Sequence, residues 1–153
     1  MLLPTLLTIH AGGFTVGSPV DDDGWNRSFA DSFAVVVVAL NYAKAPWAGF
    51  PRPLLDVEAL FHAVMADESM PIDRERTALC GFDAGANLAL ALAQRPSVKT
   101  GRGPNAPYHH GYPYPYLTQQ WPQQTYPPPR AVVSVCGILD FATSPSTKAR
   151  TRP

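Results

Sequence analysis

Short apolar runs alternate along the chain with segments that have helical spacing of their apolar residues. The apolar runs are typical of strands in a parallel sheet that are buried on both faces, and they lie at 2–9, 33–40, 77–80 and 131–136. Helical spacing is found at Trp25, Phe29 and Phe33, after three aspartates at 21–23 that can cap a helix, and again at 54–64 and 84–93. This order predicts an α/β fold with a doubly wound, mostly parallel sheet and flanking helices.

The predicted strand ends indicate where a functional site should lie. Ligands of doubly wound folds bind beyond the carboxyl ends of the strands, so we expect an active site after His10, Leu40, Cys80 or Cys136. Both cysteines end apolar runs, and we interpret both as free buried thiols, with the Cys80 side chain in the core rather than in catalysis. Free thiols favour a reducing, cytoplasmic location.

A stretch at about 97–129 departs from this pattern because it is rich in Pro, Tyr and Gln. We predict that it is a long loop inserted into a single domain that spans 1–153. A proline-rich ligand for a partner's aromatic groove is the alternative. His109 and His110 lie in this stretch without a nearby acid or Cys, so we assign them no role.

Composition and charge exclude some classes of binding partner. The 153 residues include 12 basic and 12 acidic side chains, so no long-range field attracts nucleic acid or an anionic membrane. The apolar start of the chain has no basic leader and is too short to span a bilayer. We expect no cofactor and no metal site, since the aspartates at 21–23 fit a helix start and have no other ligand at suitable spacing.

Two local motifs carry candidate chemistry. The sequence Gly-Phe-Asp-Ala-Gly at 81–85 lies between a predicted strand and a helix, where small residues permit a sharp turn that raises Asp83 above the sheet. The helix N-terminus behind this turn stabilises negative charge. The sequence His-Ala-Gly-Gly-Phe at 10–14 ends the first strand, where backbone N–H groups can converge on an oxygen that becomes negative in acyl transfer. A purely structural tight turn is the alternative for Gly12 and Gly13.

In this order and at these strand ends, the two motifs resemble those of the hormone-sensitive-lipase-like esterases of the α/β-hydrolase fold. Agreement extends from about Thr8 to Phe141 and includes Gly-Ser at 17–18, Asn-Tyr-Ala-Lys-Ala-Pro at 41–46, Phe-Pro at 50–51, Asp56 and Asn-Leu-Ala at 87–89. The resemblance implies hydrolysis of a small-molecule ester through a Ser-His-Asp triad. It places Asp83 at the nucleophile position, the N–H groups of Gly12, Gly13 and Ala84 in the oxyanion hole, and His10 in support of that loop.

The chain departs from the family pattern at several positions. Asp83 stands where the family has Ser, Ala11 replaces the first Gly of His-Gly-Gly-Gly, and Ala-Lys at 43–44 stands where the family usually has Arg-Leu. The family's general-base His and its acid come from strand ends that follow the last one here, and further strands precede the first. We therefore expect a partial α/β-hydrolase fold, whose exposed sheet edges would favour oligomers.

Asp83 leaves several hypotheses open. The site is degenerate if the carboxylate, a poor nucleophile at an ester carbonyl, occupies the positive field meant for the oxyanion. Such a chain would be catalytically impaired or would be a non-catalytic ligand-binding relative. An aspartate at this position could instead open an epoxide or displace a halide, and a simple surface turn is the remaining reading. His62 is predicted at the boundary of the second helix and is not assigned a catalytic role.

Overall fold

The computed structural model describes residues 1–95, 98 and 126–137. Strands and helices alternate along these residues, as the hydrophobic pattern predicts. The strands are β1 (Leu3–Ile9), β2 (Val36–Leu40), β3 (Ile72–Phe82) and β4 (Ala131–Val135), and the helices are α1 (Asp23–Phe33), α2 (Arg52–Ala66) and α3 (Ala84–Gln94), with a 3-10 turn at Pro19–Asp22. None of the helices in the described ranges has the length and apolar character that crossing a bilayer requires.

The four strands form one parallel sheet in the order β2-β1-β3-β4. Ile9 at the end of β1 is paired with Leu40 on one side and with Gly81 on the other. The carboxyl ends of three neighbouring strands therefore lie side by side, which confirms the predicted parallel α/β fold and sets the position of the loops that follow them.

Helices cover both faces of the sheet. Alternate strand residues such as Leu7, Ile9 and Leu79 join one buried cluster with the apolar sides of α2 and α3. Side chains alternate along a strand, so Phe82, an odd number of residues from Leu79, points to the opposite face. On that face the Trp25 ring of α1 packs edge-on against Phe82, with ring centroids 5.2 Å apart.

The expectation that every strand is buried on both faces is wrong for the two edge strands. Most residues of β4 are exposed, and β2 is only partly buried before Leu40. The physical reason is that an edge strand has a neighbouring strand on one side only. Helix α1 packs against β2, which lies at the opposite edge of the sheet from β4. For the same reason Cys136, which follows β4, is exposed rather than buried.

The structure corrects the predictions for Phe33 and His62 and confirms the one for Cys80. Phe33 is the last residue of α1 rather than the first of a strand, because Ala34 adopts a left-handed conformation that ends the helix, and β2 begins at Val36. His62 is not at a boundary of α2 but is only 1% exposed, and burial lowers the pKa of its imidazole. Cys80 is buried as predicted, and burial raises the pKa of its thiol.

The loop predicted at about 97–129 lies mostly outside the described residues, and His109 and His110 lie outside them entirely. Two of its described residues, Val98 and Tyr126, belong to the buried cluster beneath the sheet. Their burial shows that both ends of this stretch contribute apolar side chains to the core.

Candidate active site at the carboxyl ends of the strands

Asp83 occupies a strained turn between β3 and α3. Its φ of 51° and ψ of −113° lie outside the regions that residues with a Cβ normally adopt. Two glycines make the turn possible: a Cβ on Gly81 would lie 2.1 Å from the carbonyl oxygen of Gly85, and a Cβ on Gly85 would lie 2.1 Å from that of Ile9. The Asp83 amide donates to the carbonyl of Val135 at 2.9 Å, so β4 also holds the turn in place.

The loop after β1 is a tight turn built on glycine. Gly12 has a φ of 132° and Gly13 a φ of 56°, and a Cβ on Gly12 would lie 2.0 Å from the carbonyl oxygen of Val16. The Gly12 carbonyl accepts hydrogen bonds from the amides of Thr15 and Val16, at 3.0 and 3.1 Å. With its carbonyl engaged inside the turn, Gly12 presents its N–H group on the other side, toward the end of β3.

The Asp83 carboxylate accepts hydrogen bonds from this loop through one oxygen. Oδ2 lies 3.2 Å from the amide nitrogen of Gly12 and 2.9 Å from that of Gly13. The Gly13 amide and then the Ala84 amide lower the pKa of Asp83 below its ordinary value, against an opposing effect of burial, and the Gly12 amide lowers it slightly further. The structure thus brings together the four predicted site residues, Gly12, Gly13, Asp83 and Ala84. The carboxylate of Asp83 is an ionised acceptor at the start of α3.

His10 lies behind the loop and is 2% exposed. Its Nδ1 is 2.6 Å from the carbonyl oxygen of Ala11, and its Nε2 is 3.2 Å from Oδ1 of Asn41. The imidazole stacks on the Tyr42 ring, with centroids 4.4 Å apart and planes inclined by 8°. His10 therefore contacts the loop from within the fold.

The segment after β2 contributes polar contacts that the sequence did not assign to the site. The Tyr42 hydroxyl donates to the carbonyl of His10 at 3.3 Å, and burial, with a smaller contribution from the charge of Asp83, raises its pKa to about 12. Lys44 donates from Nζ to the Tyr42 carbonyl and to Asn41 Oδ1, at 2.7 and 2.5 Å. The signals for these residues in the sequence were their position after a predicted strand and the resemblance of the stretch at 41–46 to the family pattern.

Asp56 of α2 ties the same segment to the body of the fold. Its carboxylate accepts from the amide of Ala43 at 2.9 Å and from Nε of Arg52 at 2.5 Å. Both side chains of this ion pair are largely buried. A surface cavity of about 330 Å³ beside them is lined by residues of the β2–α2 connection and of α2, including Tyr42, Asp56 and Leu60.

The chemistry that these groups can perform is the binding of a negative charge. Two backbone N–H groups of the loop after β1 converge on Oδ2 of Asp83, and this carboxylate lies at the start of α3. Among the described residues no cluster of three or more His, Cys, Asp or Glu side chains is placed to hold a metal ion. The geometry is that of an anion site with its anion covalently attached.

A profile of the alpha/beta hydrolase fold matches residues 6–152. Arylacetamide deacetylase of Oryctolagus cuniculus is 42% identical over 103 residues, which cover 61% of this chain and 26% of that protein. Ethyl acetate hydrolase of Pseudomonas putida is 35% identical over 91 residues, covering 59% of this chain and 29% of that protein. The chain thus spans between a quarter and a third of the length of these curated relatives.

Solved structures give the same result. A hyperthermophilic esterase from the archaeon Pyrobaculum calidifontis matches with a TM-score of 0.55 and 32% identity, covering 60% of this chain and 30% of that one. A bacterial heroin esterase matches with a TM-score of 0.53 and 32% identity, covering 60% of this chain and 29% of that one. The resemblance to esterases noted from the two motifs therefore extends to the sequence and to the backbone.

Proposed function

Because the chain belongs to the alpha/beta hydrolase fold family, we propose that its site derives from that of a carboxylic-ester hydrolase and is closed by its own aspartate. In this proposal the Gly12, Gly13 and Ala84 amides form an oxyanion hole, and the Asp83 carboxylate occupies the place of the oxyanion. The chain is then catalytically impaired toward esters. Its ligand class is the small-molecule ester, which the name of one relative, an ethyl acetate hydrolase, also supports.

One observation carries the proposal: Oδ2 of Asp83 lies within hydrogen-bonding distance of two loop amides at once, at 3.2 and 2.9 Å. An oxyanion hole works by stabilising charge that develops only in the transition state. A permanent carboxylate in the hole uses those donors in the ground state and repels a second negative oxygen. Attack by a carboxylate on an ester carbonyl would in any case give a reactive anhydride.

The histidines of the described part of the chain do not supply a general base at Asp83. His10 is 2% exposed and lies behind the glycine loop, while His62 is 1% exposed within α2. A general base must reach the proton that it abstracts, directly or through one water. Replacing Asp83 by Ser in this chain is therefore expected to provide a hydroxyl without a base to activate it.

The test is ester turnover together with anion binding. With p-nitrophenyl acetate, we expect no appreciable turnover by the wild-type chain, by Asp83→Ser or by Asp83→Ala. Adding sodium acetate to Asp83→Ala should produce saturable changes in the amide NMR signals of Gly12 and Gly13, because the variant leaves the donors open to an external carboxylate. The wild-type chain and Asp31→Ala, a control that removes an exposed aspartate of α1, should show no such changes.

Two results would contradict the proposal. A burst of nitrophenol with a stable acetyl adduct on Asp83→Ser would mean that the site is competent for acyl transfer without further residues. If acetate changed the amide signals of Gly12 and Gly13 equally in the wild-type chain and in Asp83→Ala, the Asp83 carboxylate would not fill the oxyanion hole.

The two oxygens of the Asp83 carboxylate have different hydrogen-bond partners, and this difference supports a second candidate function. Both loop hydrogen bonds go to Oδ2, and a carboxylate fixed through one oxygen can direct the other at a saturated carbon. In this reaction Oδ1 of Asp83 forms a bond to an epoxide carbon, the epoxide C–O bond breaks, and the resulting alkoxide takes a proton from water. With no accessible histidine among the described residues, the alkyl ester would persist rather than turn over.

Mass spectrometry separates the two candidates. Treatment with styrene oxide should add the mass of one intact epoxide to the peptide that contains Asp83 if the carboxylate is a nucleophile, and Asp83→Asn should stay unmodified. An unmodified wild-type peptide at saturating epoxide would eliminate this candidate and leave the closed esterase site.

A further inference from the structure

The Asn41 side chain lies where the end of β2 meets the end of β1. Ile9 pairs with Leu40. The residues that follow them, His10 and Asn41, therefore lie side by side at the carboxyl ends of the strands, where Asp83 also lies. The two side chains are joined by the contact of His10 Nε2 with Asn41 Oδ1, at 3.2 Å. In the part of the chain that the structure describes, the Asn41 oxygen meets His10, Tyr42 and Lys44, and of these His10 contacts the glycine loop through the Ala11 carbonyl.

The orientation of the Asn41 amide is fixed by its other partners. Its Oδ1 also faces the Tyr42 backbone N–H, at 2.9 Å, and the ammonium of Lys44, at 2.5 Å. Both groups are donors only. Reversing the amide would place its NH₂ group against two donors, so the oxygen must be the atom that faces His10.

This orientation determines what the His10 ring does. Nε2 faces the Asn41 oxygen and Nδ1 faces the Ala11 carbonyl oxygen at 2.6 Å. Both partners are acceptor oxygens, so a ring nitrogen that carries a proton donates it to the oxygen it faces. The charged groups around it are the Lys44 ammonium, which shares Asn41 Oδ1, and the carboxylate of Asp22, which has a Coulomb interaction with His10.

The ring also has no room to turn away. One face stacks on Tyr42, and the backbone of Gly17 approaches so closely that a Cβ there would lie 2.9 Å from Nδ1. The carbonyl that His10 holds belongs to Ala11, and the peptide bond of that carbonyl contains the N–H of Gly12. Since the peptide unit is planar, fixing the Ala11 oxygen fixes the direction of the Gly12 N–H toward Asp83.

We propose that Asn41 is a positioning residue for the anion site, acting through the His10 ring, which fixes the Ala11–Gly12 peptide. The proposal rests on the closed oxyanion hole described above, and it adds a residue from β2 to the groups that determine its geometry. Lys44 supports the same role by holding the Asn41 oxygen in place. Asn41 itself performs no chemistry on a substrate.

The experiment follows the Asp83 carboxylate through an acid titration, using the side-chain carbonyl ¹³C signal of the wild-type chain and of two variants. Asn41→Ala removes the acceptor, and the pKa of Asp83 should rise toward its ordinary value, with displaced amide signals of Gly12 and Gly13. Asn41→Asp keeps an acceptor oxygen and should keep the pKa of Asp83 low. Asn26→Ala, a change at another buried asparagine, in α1, controls for loss of stability and should leave the Asp83 titration unchanged.

The outcomes distinguish the two proposals. A wild-type Asp83 that titrates at its ordinary pKa would overturn the closed site and this inference with it. A low wild-type pKa that stays low in Asn41→Ala would overturn the role of Asn41 alone. If Asn41→Ala does not fold, the ring ¹⁵N signals of wild-type His10 decide: a protonated Nδ1 is expected, and an unprotonated Nδ1 would refute the hydrogen bond to the Ala11 carbonyl on which the proposal depends.

Discussion

Oδ2 of Asp83 lies 2.9 Å from the amide nitrogen of Gly13, a residue 70 positions earlier in the chain. This contact joins the turn after β3 to the loop after β1 and places a full negative charge among backbone donors. The same donors would serve a reacting oxygen if the side chain at 83 were short and neutral. In the proposed function, this one side chain decides whether the site is open.

The stability of the chain should depend on pH through Asp83. Its pKa in the folded chain lies below the ordinary value of 3.8, so the ionised form stabilises the fold above that value, and this contribution is lost as the pH falls through the folded pKa. Urea unfolding of the wild-type chain and of Asp83→Asn should therefore differ most near neutral pH and converge in acid. Asp31→Asn on the exposed side of α1 is the matched charge control. A difference that grows on acidification would contradict the hydrogen bonding described for Asp83.

Gly85→Ala should destabilise the chain severely. A Cβ at this position would lie 2.1 Å from the carbonyl oxygen of Ile9, and separating α3 from β1 to make room should cost about 3 kcal/mol. Gly24→Ala in α1 is the matched substitution, because its Cβ would meet nothing within 4 Å and should stabilise the helix by about 0.5 kcal/mol. Thermal denaturation of both variants checks the contrast, and equal melting temperatures would argue against the close approach of α3 to β1.

Gly12 and Gly13 should respond differently to alanine although they are adjacent. A Cβ on Gly12 would lie 2.0 Å from the Val16 carbonyl oxygen, whereas one on Gly13 would meet nothing within 4 Å. Gly13→Ala should cost about 1 kcal/mol for its positive φ alone, and Gly12→Ala clearly more because the turn must open. Chemical denaturation measures both, and the amide NMR signal of residue 13 reports whether the turn survives. A greater loss for Gly13→Ala would show that the turn is built differently.

The ion pair between Glu58 and Arg95 links α2 to the end of α3. Glu58 has a 1% exposed side chain and accepts from Nε of Arg95 at 2.9 Å. Arg95→Ala should cost about 3 kcal/mol, because it removes a cation from a buried carboxylate. Arg27→Ala, which breaks an exposed pair with Asp23 within α1, should cost about 0.5 kcal/mol. Equal losses of unfolding free energy in Arg95→Ala and Arg27→Ala would mean that Arg95 does not stabilise the buried carboxylate of Glu58.

The sequence by itself determined the alternation of strands and helices, the parallel sheet and the two motifs of the site. These features depend on local periodicity and on small residues at turns, both of which can be read without knowing what packs against them. The turn at 81–85 was predicted because only small residues permit it, and the structure places Asp83 at positive φ in that turn.

Only the tertiary structure decided how much of each element is buried and which distant groups meet. The valines of β4 are as apolar as the leucines of the central strand β1, yet β4 is exposed because the sheet gives it one neighbour. His62 is buried because α2 turns it inward, which its polar character did not indicate. The contact between Asn41 and His10 depends on the register of β1 with β2. Register is a long-range property fixed by packing, so the local sequence around either residue could not reveal it.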